Sequence, residues 1–116
     1  METAEPGDVP ARISTQAVES LGAALALKPY LRAIADPTRL SILHELARTG
    51  EHQVLELARL FGLSQPLTSW HLRILRQAGL VTTRRLGRQV LCRLNRERLR
   101  EFKAQFDALI PAGGDR

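Results

Sequence analysis

The chain has only one cysteine, Cys92, among its 116 residues. An intrachain disulfide is therefore excluded, and so is a zinc site built from Cys-x-x-Cys pairs. Aromatic residues are scarce, at 4% of the sequence, so aliphatic side chains supply most of any core. No apolar run approaches the roughly 20 residues that a membrane-spanning helix needs. The amino-terminal sequence lacks the basic start and apolar segment of a secretory signal. We therefore expect a cytoplasmic protein that does not contact the membrane.

Motifs for catalysis and for metal binding are also missing. The chain has no Ser-His-acid order of convincing spacing and no glycine-rich phosphate loop, so we expect neither an enzyme nor a cofactor. Its three histidines have no histidine or cysteine partner at helical spacing. His44 and His52 stay open as metal ligands if other elements converge on them, and otherwise we expect no metal site. His71 is predicted to pack near the core, and Cys92 to be a buried thiol, with a redox switch as the alternative.

Positive charge is concentrated in one part of the chain. Residues 64–100 contain nine arginines and one acidic residue, a net charge of +8, whereas the whole chain carries +5. A basic half of this kind is the electrostatic footprint of a protein that binds a polyanion. The alternative is an ordinary solvated helix face.

Residues 58–79 predict two helices joined by a tight turn. Gly62 suits the left-handed end of the first helix. Ser64 suits the cap of the second helix, and Pro66 suits its first turn. The second helix, predicted from about Gln65 to Ala78, has a polar side and an apolar side, the latter with Thr68, Leu72 and Leu75. This is the layout of a helix-turn-helix whose second helix enters the DNA major groove. The predicted DNA-reading residues are Gln65, Pro66, Ser69, Trp70 and Arg73.

The remaining segments predict a small domain around this motif. We expect a disordered tail over residues 1–12, one domain over 13–110 and a flexible end over 111–116. Apolar spacing predicts a first helix from Ile13 to about Leu25, a break at Lys28-Pro29 and a short helix to Ala35. Further helices are predicted from Asp36-Pro37 to Gly50, from Gln53 to Phe61, and from Asn95 onward.

Two short runs rich in β-formers, 80–86 and 89–94, predict a β-hairpin that turns at Gly87-Arg88. Its arginines Arg84, Arg85 and Arg88 are typical of a wing that contacts DNA phosphates or the minor groove. The fold class is therefore mainly α with a small β-hairpin, a winged helix-turn-helix. The first and last helices keep apolar stripes that one small core does not need, which favours a homodimer. The predicted dimer interface comprises Val18, Leu21, Leu99, Phe102 and Phe106.

Several separate motifs, in this order and spacing, resemble the ArsR/SmtB winged-helix repressors. They are Ala35-Asp-Pro-Thr-Arg-Leu-Ser-Ile-Leu, Glu56-Leu-Ala, Leu63-Ser-Gln-Pro and His71-Leu-Arg-Ile-Leu-Arg-Gln-Ala-Gly-Leu-Val, followed by the Gly-Arg hairpin. The resemblance covers about residues 28 to 100. It implies a dimeric bacterial repressor that leaves a palindromic operator in double-stranded DNA when an effector binds. Trp70 departs from the pattern, because relatives usually carry a histidine there. We expect its indole to face DNA, and the alternative is that it folds back beside Leu67 and Ile74 as packing.

The resemblance also implies two effector sites, and the residues of both are missing. One site uses paired cysteines where this chain has Gln53 and Leu55, and the other uses histidines of the last helix, whereas residues 95–110 contain none. We therefore expect a sequence-specific DNA-binding regulator that lacks the family's usual metal sensing. The alternative is a winged helix that acts as a protein-interaction or regulatory subunit, with its response coming from a partner protein.

Overall fold

The computed structural model describes residues 13–113. The tail expected over 1–12 and the last three residues of the expected flexible end lie outside that range. Within it, the chain forms five helices and three short strands. They are α1 (Thr15–Ile34), α2 (Pro37–Thr49), β1 (His52–Gln53), α3 (Val54–Phe61), α4 (Gln65–Gln77), β2 (Val81–Leu86), β3 (Gln89–Leu94) and α5 (Arg96–Leu109).

The first helix differs from the sequence prediction. Instead of breaking at Lys28-Pro29, α1 runs through Pro29 as one 20-residue helix. A proline inside a helix removes one backbone hydrogen bond and costs about 3 kcal/mol. Leu27 and Ala33, on either side of the proline, are both buried against the rest of the chain. We infer that this packing holds both halves of the helix in line, which local propensity alone does not predict.

Capping residues mark the starts of α2, α4 and α5, as predicted. The side chains of Asp36, Ser64 and Asn95 each accept a hydrogen bond from the backbone N–H three residues on, at 3.0, 3.2 and 3.2 Å. Gly62 ends α3 with φ 64° and ψ 35°, a left-handed conformation that glycine adopts without a Cβ penalty. These local signals fix the turn between α3 and α4, and so the placement of α4.

The predicted hairpin is present, but it belongs to a three-stranded antiparallel sheet with strand order β1-β3-β2. Cys92 in β3 pairs with Thr83 in β2 on one side and with His52 in β1 on the other. The additional strand, β1, is only two residues long, which is too short to show the alternation that predicts a strand. It anchors the root of the hairpin to the body of the domain.

One core lies where α2, α3 and α4 meet the sheet. From α4 it takes Thr68, His71, Leu72 and Leu75, which are all buried. The other buried apolar side chains of this core are Ala33, Ile42, Leu43, Leu46, Val54, Leu57, Ala78, Leu80, Val81, Cys92 and Leu94.

Among residues 13–113, no helix is both long enough and apolar enough to cross a bilayer.

Candidate nucleic-acid interface

The helix-turn-helix presents its predicted reading side outward. Because Thr68, Leu72 and Leu75 fill the inward side of α4, residues at the intervening positions point away from the core. All five predicted DNA-reading residues are exposed: Gln65, Pro66, Ser69, Trp70 and Arg73. Ser64 caps the helix at this end, so hydroxyl and amide groups are presented at the helix start, where base edges are contacted in this type of motif.

A cleft of about 250 Å³ separates α4 from the hairpin. Gln65 and Ser69 line its α4 side, Arg88 lines its hairpin side, and Arg76 adds a second guanidinium. Arg76 stands seven residues after Ser69, two helical turns along the same side. The cleft therefore joins the reading helix and the wing tip into one surface that carries two arginines and several neutral hydrogen-bonding side chains.

Arg84 and Arg85 lie on opposite faces of the hairpin, since successive side chains of a strand alternate. Arg84 binds Glu51 through two hydrogen bonds, from Nε to Oε2 at 2.8 Å and from Nη2 to Oε1 at 2.9 Å. Arg85 shares its face with Thr83, which lines the cleft beside α4. Of these two arginines, Arg85 is the one that the strand directs toward the side of the reading helix.

The ion pair between Arg84 and Glu51 shifts the pKa of both groups. The hydrogen bonds from Arg84 lower the pKa of the Glu51 carboxyl, and burial opposes this effect. The same bonds raise the pKa of Arg84. Both side chains keep substantial solvent exposure, which screens the attraction. The pair is therefore a tether between the hairpin and the loop before β1 rather than a large source of stability.

Trp70 is 46% exposed and rests on two neighbours. Its ring centroid lies 5.0 Å from that of His71, and the Arg39 guanidinium carbon lies 5.7 Å from the indole centroid. These distances are typical of aromatic pairing and of a cation–π contact. The indole is thus held from behind while almost half of its surface faces solvent.

His71 and Arg39 form a buried polar pair beneath that indole. Arg39 Nη1 lies 3.3 Å from His71 Nδ1, and Asp36 Oδ2 lies 4.0 Å from the same nitrogen. Burial lowers the pKa of His71, and the Arg39 charge lowers it further, against the opposing effect of Asp36. The prediction that His71 is packed and hydrogen-bonded near the core is confirmed.

The other two histidines have different surroundings. His44 is exposed on α2. His52 Nε2 lies 3.2 Å from Glu45 Oε2 and 2.7 Å from Thr49 Oγ1, which indicates a structural hydrogen-bond network at the root of the sheet. Over residues 13–113, no three His, Cys, Asp or Glu side chains are grouped to hold a metal ion.

Cys92 is buried, as predicted, on the middle strand of the sheet. Its Sγ donates to the backbone oxygen of His52 at 3.3 Å. Burial, followed by the negative charges of Glu51 and Glu56, raises the pKa of this thiol to about 12. A thiol with such a pKa is almost entirely protonated at neutral pH, so it is a poor nucleophile.

The five predicted dimer residues have different environments in one chain. Val18 and Leu21 on α1 and Phe106 on α5 are exposed. Leu99 is half-buried, and Phe102 is buried, with its ring 5.2 Å from that of Tyr30. Phe102 therefore joins α1 to α5 within one chain, while the three exposed residues leave an apolar surface beside it.

The sequence prediction missed two residues of this region. Arg76 belongs to the basic segment, and its two-turn spacing from Ser69 is the signal that places it on the cleft. Arg39 belongs to the Asp-Pro-Thr-Arg motif, and no local pattern shows that its side chain reaches back to α1 and across to α4. That contact depends on the packing of three helices.

Comparison with known proteins identifies relatives that are bacterial transcriptional repressors. Residues 36–83 match a family described as bacterial regulatory protein, arsR family. The HTH-type transcriptional repressor SmtB of Mycobacterium tuberculosis is 44% identical over 85 residues, 73% of this chain and 61% of that protein. The arsenical resistance operon repressor of Staphylococcus xylosus is 36% identical over 83 residues, 72% of this chain and 79% of that protein. The chain thus spans about three fifths of the length of the SmtB repressor.

Solved structures with the same fold are also similar in sequence. A possible transcriptional regulator for arsenical resistance is 41% identical, with a TM-score of 0.62 over 67% of this chain and 80% of that one. The homodimeric winged helix-turn-helix DNA-binding domain Mb0332 of Mycobacterium bovis is 26% identical, with a TM-score of 0.59 over 92% of this chain and 100% of that one. The winged helix-turn-helix fold predicted from the sequence is therefore confirmed.

Proposed function

Because this chain belongs to the arsR family of bacterial regulatory proteins, we propose that it is a transcriptional repressor that binds operator DNA as a homodimer. It acts by binding rather than by catalysis, in the cytoplasm, where bacterial DNA is found. In this function α4 enters the major groove, and the hairpin lies along the neighbouring backbone or minor groove.

The observation that carries this proposal is the cleft between α4 and the hairpin. Gln65 and Ser69 have the donors and acceptors that read base edges, with glutamine suited to adenine and serine to several bases. Arg76 and Arg88 add positive charge on either side of them. A surface that pairs base-reading groups with phosphate-binding groups is what a sequence-specific DNA-binding protein requires. An acidic protein partner would need the charge but not the reading groups.

The exposed apolar residues of α1 and α5 support the homodimer. Val18, Leu21 and Phe106 are exposed in one chain, and a second copy would remove them from water. A two-fold dimer of winged helices would place its two reading helices in half-sites about one DNA turn, roughly 34–36 Å, apart. A palindromic operator follows from that symmetry.

A salt series tests DNA binding directly. The affinity for a random duplex should fall steeply as salt rises, because each phosphate contact releases counterions. The affinity for an operator selected from genomic fragments should exceed that for the random duplex by at least about 1,000-fold. Binding that is insensitive to salt, or an affinity that is equal for every duplex, would contradict the proposal.

Metal titration tests the effector part of the prediction. Gln53 stands at one family thiolate position, and its backbone N–H donates to Glu56 Oε1 at 2.8 Å at the start of α3. Neither an amide at this position nor Leu55 supplies a thiolate. We therefore expect zinc, cadmium and arsenite to leave DNA affinity unchanged. Tight stoichiometric binding with loss of DNA affinity would contradict this, and His44→Ala and His52→Ala would then identify the ligands.

A further inference from the structure

Arg39, the third residue of α2, is a buried cation with unusual partners. Its side chain is 9% exposed, yet within residues 13–113 no carboxylate oxygen forms a salt bridge with it. A buried charge is costly unless hydrogen bonds and neighbouring dipoles replace its water. The groups that do so here show what this arginine connects.

The first set of partners is the carboxyl end of α1. Arg39 Nε donates to the backbone oxygen of Ala33 at 2.6 Å, and Nη2 donates to that of Arg32 at 3.3 Å. The last carbonyls of a helix have no partner inside the helix and carry its negative partial charge. The guanidinium therefore caps the carboxyl end of α1 with a positive charge, and the two carbonyls hold the guanidinium in position.

The second set of partners is on the reading helix. A guanidinium has only donors, so Arg39 Nη1 donates to His71 Nδ1, at 3.3 Å, and that nitrogen is the acceptor. His71 is then neutral, with its proton on Nε2. The same guanidinium approaches the face of Trp70, whose ring also contacts the His71 ring. One planar group thus contacts two consecutive residues of α4.

We propose that Arg39 is a positioning residue that orients Trp70 and fixes α4 against α1 for operator reading. The inference rests on the proposed function. Trp70 is exposed between Ser69 and Arg73 on the reading side, and it is the larger of the two exposed large apolar side chains of α4, the other being Leu67. An indole that is held against a fixed guanidinium presents one surface to the thymine methyl groups or sugars it meets. Without that support the Trp70 side chain samples several rotamers. Fixing one of them on binding DNA then costs conformational entropy.

The variant Arg39→Lys tests the proposal. Lysine keeps the charge but offers a single ammonium, which cannot bind the α1 carbonyls and His71 together. We expect the preference for operator over random duplex to fall about 5- to 100-fold, the range of a lost base contact, with affinity for the random duplex largely unchanged. The matched control is Arg48→Lys on the same helix, where the exposed Arg48 binds Glu45. This control should keep full preference.

A double-mutant cycle with Trp70→Ala separates positioning from general stability. If Arg39 acts through Trp70, adding Arg39→Lys to Trp70→Ala causes little further loss of preference, because contacting residues are not additive. Additive losses, or an unaltered preference in folded Arg39→Lys, overturn the proposal. Thermal melts identify any unfolded variant. In that case His71→Leu, which removes the acceptor and leaves Arg39 in place, replaces Arg39→Lys and is expected to cause the same loss, with retained preference overturning the proposal.

Two spectroscopic measurements, the His71 tautomer in the unmodified protein and the Trp70 emission in the variants, report on positioning and would not respond to a purely structural role of Arg39. Nitrogen-15 spectra of the histidine rings should show His71 as the Nε2–H tautomer at neutral pH. Trp70 emission should change in Arg39→Lys but not in Arg48→Lys. A proton on Nδ1 of His71, or unchanged emission, overturns the proposal. Loss of salt-dependent duplex binding by the unmodified protein would instead contradict the proposed function, so the two failures are distinguishable.

Discussion

At the scale of single residues, neighbouring arginines of the hairpin differ in what they can contact. Arg84 already binds Glu51 through two hydrogen bonds, whereas Arg85 is on the face of Thr83 and Arg88 lines the cleft. The sequence predicts the same role for all three, contact with DNA phosphates or with the minor groove. Within residues 13–113, the structure therefore divides them into Arg84, which is tethered to Glu51, and Arg85 and Arg88, which form no salt bridge.

This division gives a prediction for the salt dependence of duplex binding. Arg85→Ala and Arg88→Ala should each lower the slope of log affinity against log salt by roughly one, because each removes a phosphate contact. Arg84→Ala should leave the slope unchanged and serves as the matched control from the same strand. A slope that falls by the same amount in all three variants would show that Arg84 leaves Glu51 to bind DNA.

The buried thiol of Cys92 leads to a second prediction at this scale. With its pKa raised to about 12, Cys92 should not react with an aromatic disulfide reagent at neutral pH in the folded protein. Addition of denaturant should release one reactive thiol per chain. Rapid reaction in the folded state, accompanied by loss of DNA binding, would favour the redox switch instead.

At the scale of elements, the hairpin has a tether that depends on pH. Hydrogen bonds from Arg84 lower the pKa of Glu51 from its ordinary 4.5 in the folded protein. A depressed carboxyl pKa stabilises the folded state above the unfolded value, and this contribution is lost as pH falls through the folded value. The tether should thus hold at neutral pH and open only on acidification below the ordinary carboxyl value of 4.5.

The Arg84 Nε–H resonance measures this opening. We expect it to be sharp and shifted at neutral pH, and to approach that of a free arginine on acidification. Glu51→Gln should remove the pH step, because an amide does not titrate in this range. A step that persists in Glu51→Gln would assign the titration to another carboxyl group.

The elements themselves were mostly predictable, because capping and turn residues are local signals. Asp36, Ser64 and Asn95 cap where expected, and Gly62 makes the predicted turn. The exceptions depend on tertiary packing. Pro29 stays inside α1 because both of its flanks are buried, and β1 exists only because β3 lies beside it. The exposed face of α4 was predictable from helical spacing, whereas the contacts of Arg39 and the pairing of Arg84 join distant parts of the chain.

At the scale of the whole molecule, the apolar residues of α1 and α5 have two different roles, packing within one chain and, as proposed, association of two chains. Phe102 joins the two helices within a chain, while Leu21 is 55% exposed. Leu21→Asp should therefore give a folded monomer with weaker operator binding, because a carboxylate would be desolvated only in the dimer. Phe102→Asp should lower the thermal stability of the chain itself.

Sedimentation and thermal melts distinguish these outcomes. Glu19→Gln, a change of polar group on the exposed surface of the same helix, is the control and should remain dimeric. A Leu21→Asp protein that sediments as a dimer would place the subunit interface elsewhere. A Phe102→Asp protein that is fully stable but monomeric would return Phe102 to the interface.

Because α1 is continuous through Pro29, the surface proposed for subunit association and the carbonyls bound by Arg39 belong to one helix. Subunit association and operator binding then share an element, and thermodynamic reciprocity applies to them. If pairing of the subunits tightens DNA binding by some factor, operator DNA must tighten subunit pairing by the same factor. An effector that shifts α1 by binding far from the DNA would change the affinity for the operator through this helix alone. Such an effector needs no contact with the reading helix.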